Sequence, residues 1–179
     1  LATLEAMRRG GINSPPSSSC GRLFDAVAAA LGVCRERIGY EGQAAIELEA
    51  LATRAPAASG AYDFGLRESA GLQVLDPAPL WEQLFADLRR GEPRECIAAR
   101  FHRGLVHAVA ALAQRLAGAH ALDTVALSGG VFQNRLVLEG VATALRAGGL
   151  AVLAQRELPC NDGGLSLGQA AIAAAHKLG

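Results

Sequence analysis

Apolar and polar positions alternate along the chain in two rhythms, and the rhythm changes near residue 119. From Gly21 to Leu31, Leu23, Phe24, Val27, Ala28 and Leu31 recur at helical spacing. The preceding GGINSPPSSSCG clusters glycine, proline and serine and reads as a loop. The residues before it form a polar, mixed opening segment. A second helix is predicted over about 43–53, carrying Ile46, Leu48 and Leu51 and closed by Pro56 and Gly60. AYDFGL and GLQVLD alternate with period two around ESAG, which predicts a β-hairpin over 61–76. After Pro77 and Pro79 a helix carries Leu80, Trp81, Leu84, Phe85 and Leu88, and Gly91 ends it. The longest helix is predicted from Pro93 to Ala117, with Ile97, Phe101, Leu105, Val109, Leu112 and Leu116 in one stripe.

The last third reads strand, glycine turn, helix, strand, loop, helix. Thr124 to Leu127 is a short strand, Phe132 to Ala147 a helix, and Leu150 to Leu153 a second strand. Pro159 to Gly164 is a turn-rich loop before a closing helix over 165–177. The fold class is therefore α/β, with a mostly helical part over 20–118 and an α/β part over 119–179. In such a unit, ligands sit where strands run into helix N-termini.

Composition narrows the function classes. The 179 residues are 51% hydrophobic and 19% charged, which suits one folded domain. Seventeen basic and seventeen acidic residues cancel, so a broad footprint for nucleic acid or an anionic membrane is not expected. No apolar run reaches the roughly 18–20 residues of a membrane span. Cys20, Cys34, Cys96 and Cys160 form no CxxC pair and no zinc spacing. They are expected as free thiols in a reducing compartment, the cytoplasm. The absence of an initiator methionine suggests a piece of a longer chain.

Three places carry candidate chemistry. In LSGGVFQN, Gly129 and Gly130 allow close backbone approach, and the helix behind them offers unpaired N–H groups that suit phosphate. The plain alternative is a tight turn without a ligand, which a bare SGG favours by itself. In PCNDGGLSLGQA, Asp162 at a helix mouth suits a metal or a magnesium-bound phosphate, while Asn161 or Asp162 as a simple cap is the alternative. Two such turns in one α/β unit make a shared nucleotide cleft more credible than either alone. The third place joins GRLFDA to EGQAAIELEA. There Glu49 reads as a surface group, and the sequence leaves Asp25 and Glu47 open. His102 and His107 lie about 140° apart around one helix and cannot chelate one ion. No histidine is assigned to a metal, and no Ser–His–Asp order is defensible.

Five segments in order, SSSCGRLFDAVAAALG, YEGQAAIELEALA, ARFHRGLVHAVAALA, LSGGVFQNRLVLEGV and PCNDGGLSLGQAAIA, resemble the C-terminal region of the hydrogenase maturation carbamoyltransferases HypF. The resemblance runs from about Pro15 to Ala174. It extends more distantly to TsaD, the threonylcarbamoyl transferase of tRNA, through SGGVFQN and NDGG. The resemblance implies the second lobe of an actin/hexokinase-like (ASKHA) ATPase-type fold, with a helical insertion and a small hairpin. It implies a lobe that binds ATP or carbamoyl-adenylate, with Mg2+, in a protein that uses carbamoyl phosphate. The carbamoyl group would pass to the C-terminal cysteine of HypE for the cyanide ligands of nickel–iron hydrogenase. Carried over by motif, Gly129, Gly130 and Asn134 would hold the nucleotide, and Asp25, Gly42 and Glu47 would face its sugar and base. Asp162 would be one ligand of a divalent metal, zinc or iron, shared with a first lobe whose histidines lie upstream of Leu1. One departure is Cys20, where the family often has methionine. The alternatives are a TsaD-type transferase acting on tRNA and a non-catalytic nucleotide- or partner-binding module. A sugar kinase of the same fold is weaker, for want of a sugar-binding signature.

Overall fold

The computed structural model describes residues 2–56 and 60–178. The opening segment, read above as merely polar, forms helix α1 (Ala2–Arg9). Its Glu5 pairs with Arg8 and Arg9 one turn on, and it buries no residue. Local ion pairs rather than an apolar stripe hold it, which is why hydrophobic spacing does not reveal it.

The core lies around one long helix. Helix α2 (Cys20–Ala30) starts at Ser19, whose hydroxyl accepts from the Arg22 amide, and buries Phe24, Val27 and Ala28. Helix α3 (Gln43–Ala52) buries Ala44, Leu48, Leu51 and Ala52. Both pack near α5 (Arg94–Ala119), where Ile97, Phe101 and Leu105 are buried as their spacing predicts. Phe24 meets Phe101 edge-on at 4.8 Å between centroids. Further along the stripe, Leu116 is exposed.

Between α3 and α5 the chain makes a hairpin and helix α4 (Ala78–Arg90). Strands β1 (Gly65–Ser69) and β2 (Leu72–Asp76) pair antiparallel across Ala70–Gly71, both at positive φ as a primed two-residue turn requires. The hairpin is shorter than the predicted 61–76. Residues 61–64 lie outside the ladder, where Tyr62 is buried and bonded to α5. The Tyr62 amide donates to the Arg100 carbonyl at 3.1 Å, and its hydroxyl donates to Asp87 at 2.6 Å. Buried Asp87 also binds Arg90 and Arg100. Gly104 makes this approach possible, since a Cβ there would lie 2.2 Å from the Tyr62 carbonyl oxygen.

The final third is a β–α–β–α unit. Strands β3 (Thr124–Leu127) and β4 (Ala151–Ala154) pair in parallel with Val125 opposite Val152. A 3-10 turn (Gly130–Gln133) and helix α6 (Arg135–Ala147) connect them, and α6 packs on α5 through buried Val137, Val141 and Leu145. Helix α7 (Leu165–Leu178) follows a second 3-10 turn (Asp162–Gly164) and leaves Leu165, Leu167 and Ile172 exposed. No helix among the described residues is long and apolar enough to cross a membrane.

Candidate functional site

The two glycine-containing turns meet at one edge of the β3–β4 pair. At the end of β3 the chain enters Gly129 at φ 103°, a conformation that L side chains rarely adopt. The Gly129 amide donates to the Cys160 carbonyl at 2.7 Å. Gln155 Nε2 donates to Ser128 Oγ at 3.1 Å, a second tie across the same gap. A Cβ on Gly130 would lie 4.0 Å from Cβ of Asn161, in ordinary van der Waals contact, so Gly130 faces the other turn. Segments about thirty residues apart are thus joined at the strand ends, the usual ligand position in an α/β unit.

In the second turn, Asn161 is the cap. Its Oδ1 accepts from the Gly163 amide at 3.1 Å and its carbonyl from the Gly164 amide at 3.0 Å. Asp162 is exposed, and its carboxylate accepts no hydrogen bond among the described residues. Capping by Asn161 therefore leaves the Asp162 carboxylate available to a cation. No group of three or more histidine, cysteine, aspartate or glutamate side chains that could hold a metal exists among the described residues.

The start of α6 departs from the sequence expectation. Helix α6 was expected to offer unpaired amides to phosphate, but its first three are satisfied internally. Glu49 Oε1, from α3, accepts from the Arg135 amide at 2.8 Å and the Leu136 amide at 3.4 Å. Asn134 Oδ1 accepts from the Val137 amide at 3.1 Å. Glu49 is thus not the solvated surface group its position suggested. It is a carboxylate cap on a helix 86 residues downstream. The intervening 3-10 turn shifts the open backbone donors to Gly130 and Val131, whose amides meet no acceptor among the described residues.

Asn134 is only 8% exposed, and both ends of its amide are engaged. Its Nδ2 donates to Nε2 of His102 at 3.0 Å, and Nδ1–H of His102 donates to the Ala98 carbonyl at 2.8 Å. Burial pulls the His102 imidazolium down to a pKa of about 4, against the opposing Ala98 bond. His102 is therefore neutral at pH 7, with Nε2 as its acceptor. Sequence reasoning missed this residue. The available signal was its spacing: positions 98, 102 and 105 step along the buried face of α5.

The remaining candidates lie on or beside α2 and α3. Asp25 on α2 pairs with Arg22 at 3.0 Å, and α2 packs against the Gly130–Gln133 turn. Gly42, at φ 77°, begins α3 and is exposed. Exposed Glu47 accepts from Gln43 Nε2 at 2.7 Å. Burial, then the Glu47 carboxylate beside it, pushes the Cys34 thiol up. No hydrogen bond among the described residues joins Asp25, Gly42 or Glu47 to the glycine turns. The structure brings together Gly129, Gly130, Asn134 and Asp162.

Comparison with known proteins agrees with the motifs. Residues 1–169 match the family described as "Carbamoyltransferase, Kae1-like Domain, second subdomain". Carbamoyltransferase HypF of Rhodobacter capsulatus is 44% identical over 171 residues, covering 92% of this chain and 21% of that protein. A carbamoyltransferase HypF homolog of Cupriavidus necator is 43% identical, covering 96% of this chain and 44% of that protein. The chain therefore spans from about a fifth to under half of these relatives' length. Among solved structures, a full-length HypF in the phosphate- and nucleotide-bound form superposes with a TM-score of 0.87 at 37% identity, over 96% of this chain and 22% of that one. HypF of T. kodakarensis gives 0.76 at 30% identity, over 90% and 20%. The chain belongs to the HypF carbamoyltransferases, as the second subdomain of their Kae1-like domain.

Proposed function

We propose that this chain is the nucleotide-facing lobe of a carbamoyltransferase cleft, an actin/hexokinase-like lobe that holds ATP or carbamoyl-adenylate. The observation that carries the reading is the Gly129–Cys160 bond of 2.7 Å, which closes two glycine turns into one edge. The open amides of Gly130 and Val131 lie on that edge, with Asp162 on the adjoining turn. Backbone N–H groups without a Cβ nearby suit phosphate oxygens. The nucleotide-bound relative of the same fold supports the assignment.

Asp162 would be one ligand of Mg2+ or of a zinc or iron ion shared with the first lobe. Such an ion would offset the charge of the phosphate leaving group. The turn amides would orient the same phosphate while the carbamoyl group passes to the C-terminal cysteine of HypE. The attacking thiolate belongs to HypE, so Cys20, Cys34, Cys96 and Cys160 are dispensable. The test is HypE thiocarboxamide formation by the full-length polypeptide. A folded Gly130→Val protein should lose it, and replacement of all four cysteines by alanine should keep it. Full activity of Gly130→Val, or loss in a stable cysteine-free protein, would refute the reading. The 179-residue chain alone, with one side of the cleft, should make no thiocarboxamide.

A further inference from the structure

We infer that His102 is a positioning residue for the candidate site: its Nε2 orients the Asn134 amide, and Asn134 fixes the junction between the glycine turn and α6. The argument begins with the cost of the residue. His102 is 2% exposed and packs edge-on against Phe24 and Phe101, at 5.4 and 5.3 Å between centroids. An apolar side chain would fill that space without desolvating an imidazole. The ring nitrogens must therefore be offset by specific bonds, and both are bonded.

Those bonds run in one direction. The Ala98 carbonyl can only accept, so it places the ring proton on Nδ1. Nε2 is then an acceptor and selects the NH2 end of the Asn134 amide. The oxygen end is left pointing at the Val137 amide, which only donates. A flipped Asn134 would set acceptor against acceptor and donor against donor. Three hydrogen bonds thus transmit the position of the α5 backbone to the first turn of α6. Asn134 also donates its own amide to the Val131 carbonyl at 3.1 Å, inside the turn that bears the open amides. Through that bond the orientation of one side chain sets the shape of residues 130–134.

The inference rests on the nucleotide reading only for its second measurement. Hydrogen exchange in the full-length polypeptide compares His102→Phe, which removes the acceptor, with His102→Gln, whose Oε1 restores one near Nε2. Leaving a buried donor unpaired should raise exchange across residues 128–137 by about tenfold or more in His102→Phe. The β1–β2 hairpin should change by less than about twofold, and His102→Gln should stay near the parent. A uniform rise across the chain, no rise at 128–137, or equal damage by both variants overturns the inference. Should His102→Phe not fold, Asn134→Ser keeps a cap oxygen but loses the donor to His102. It should loosen the same residues, and unchanged exchange there overturns the inference equally. The second measurement is ATP affinity: His102→Phe should weaken it by about tenfold and His102→Gln by less than about threefold. Equal affinities in all three overturn the inference. Absence of ATP binding by the parent refutes the nucleotide reading, while the exchange pattern still decides the role of His102.

Discussion

Replacing Glu49 by alanine tests whether a side chain on α3 holds the start of α6. The carboxylate accepts from Arg135 N at 2.8 Å and Leu136 N at 3.4 Å. The Glu139 carboxylate accepts from the Arg135 guanidinium at 2.6 Å, and the guanidinium, a donor only, gives these amides no substitute acceptor. Loss of a capping side chain costs about 0.5–2 kcal/mol. Loss of an anion at a helix N-terminus costs about 0.3–1 kcal/mol. The second bond is long and the site is only partly buried, so water replaces part of the interaction. The expected destabilisation is about 1.5 kcal/mol, or a Tm drop of about 3–6 °C for a chain of this length. Glu49→Gln keeps an oxygen acceptor and loses only the charge, so it should cost about 0.3–1 kcal/mol. Urea unfolding followed by circular dichroism reads both, and added salt should narrow the gap between parent and Glu49→Gln. A Glu49→Ala midpoint equal to the parent's would refute the cap. Equal losses in Glu49→Gln and Glu49→Ala would show that the hydrogen bonds contribute nothing.

Two further outcomes follow from the packing. The folded His102 pKa of about 4 lies below the unfolded value near 6.5, so the unfolded chain binds the extra proton first. Stability should therefore fall from about pH 7 to pH 4, by up to about 3 kcal/mol, and His102→Gln should remove that slope. Burial alone would raise the Asp87 carboxyl, but bonds from Tyr62, Arg100 and Arg90 outweigh it and leave the carboxyl lowered. A further loss should come below its unfolded value near 3.9, in both proteins. An identical slope from pH 7 to 4 in both proteins would rule out His102 as its source. Gly104→Ala would drive a Cβ to 2.2 Å from the Tyr62 carbonyl oxygen and should cost about 2–4 kcal/mol in urea unfolding. Gly118→Ala, on the same helix with nothing within 4 Å, should be neutral or stabilising by up to about 1 kcal/mol. Equal effects at both glycines would contradict the close approach of the 60–64 segment.

Local pattern revealed what local physics determines. The stripe through Ile97, Phe101 and Leu105, the strand at Thr124–Leu127 and the helix ending at Ala147 are all as their spacing predicts. The alternation predicts a hairpin that starts before Gly65 because Tyr62 fits a strand pattern, while its partners Asp87 and Arg100 lie far along the sequence. Helix α1 is not legible in the hydrophobic pattern because its ion pairs leave no apolar signature. At the site, SGG and NDGG were legible as two turns. Their junction at Gly129 and Cys160 was suggested only by their order in one α/β unit. Glu49 and His102 were illegible as site supports because each acts on a segment more than thirty residues away. A glutamate on a half-exposed helix face and a histidine beside Phe101 look the same with or without such partners.

The most direct measurement is calorimetric titration of ATP with magnesium into the chain and into Gly130→Val. Gly130 is suited to this because a Cβ there makes only a 4.0 Å contact with Asn161 and strains no backbone, whereas Gly129 at φ 103° would be strained. If the nucleotide lies on the edge formed by the two turns, the parent binds ATP and the folded Gly130→Val chain does not. ATP binding of equal affinity in both chains would contradict that placement.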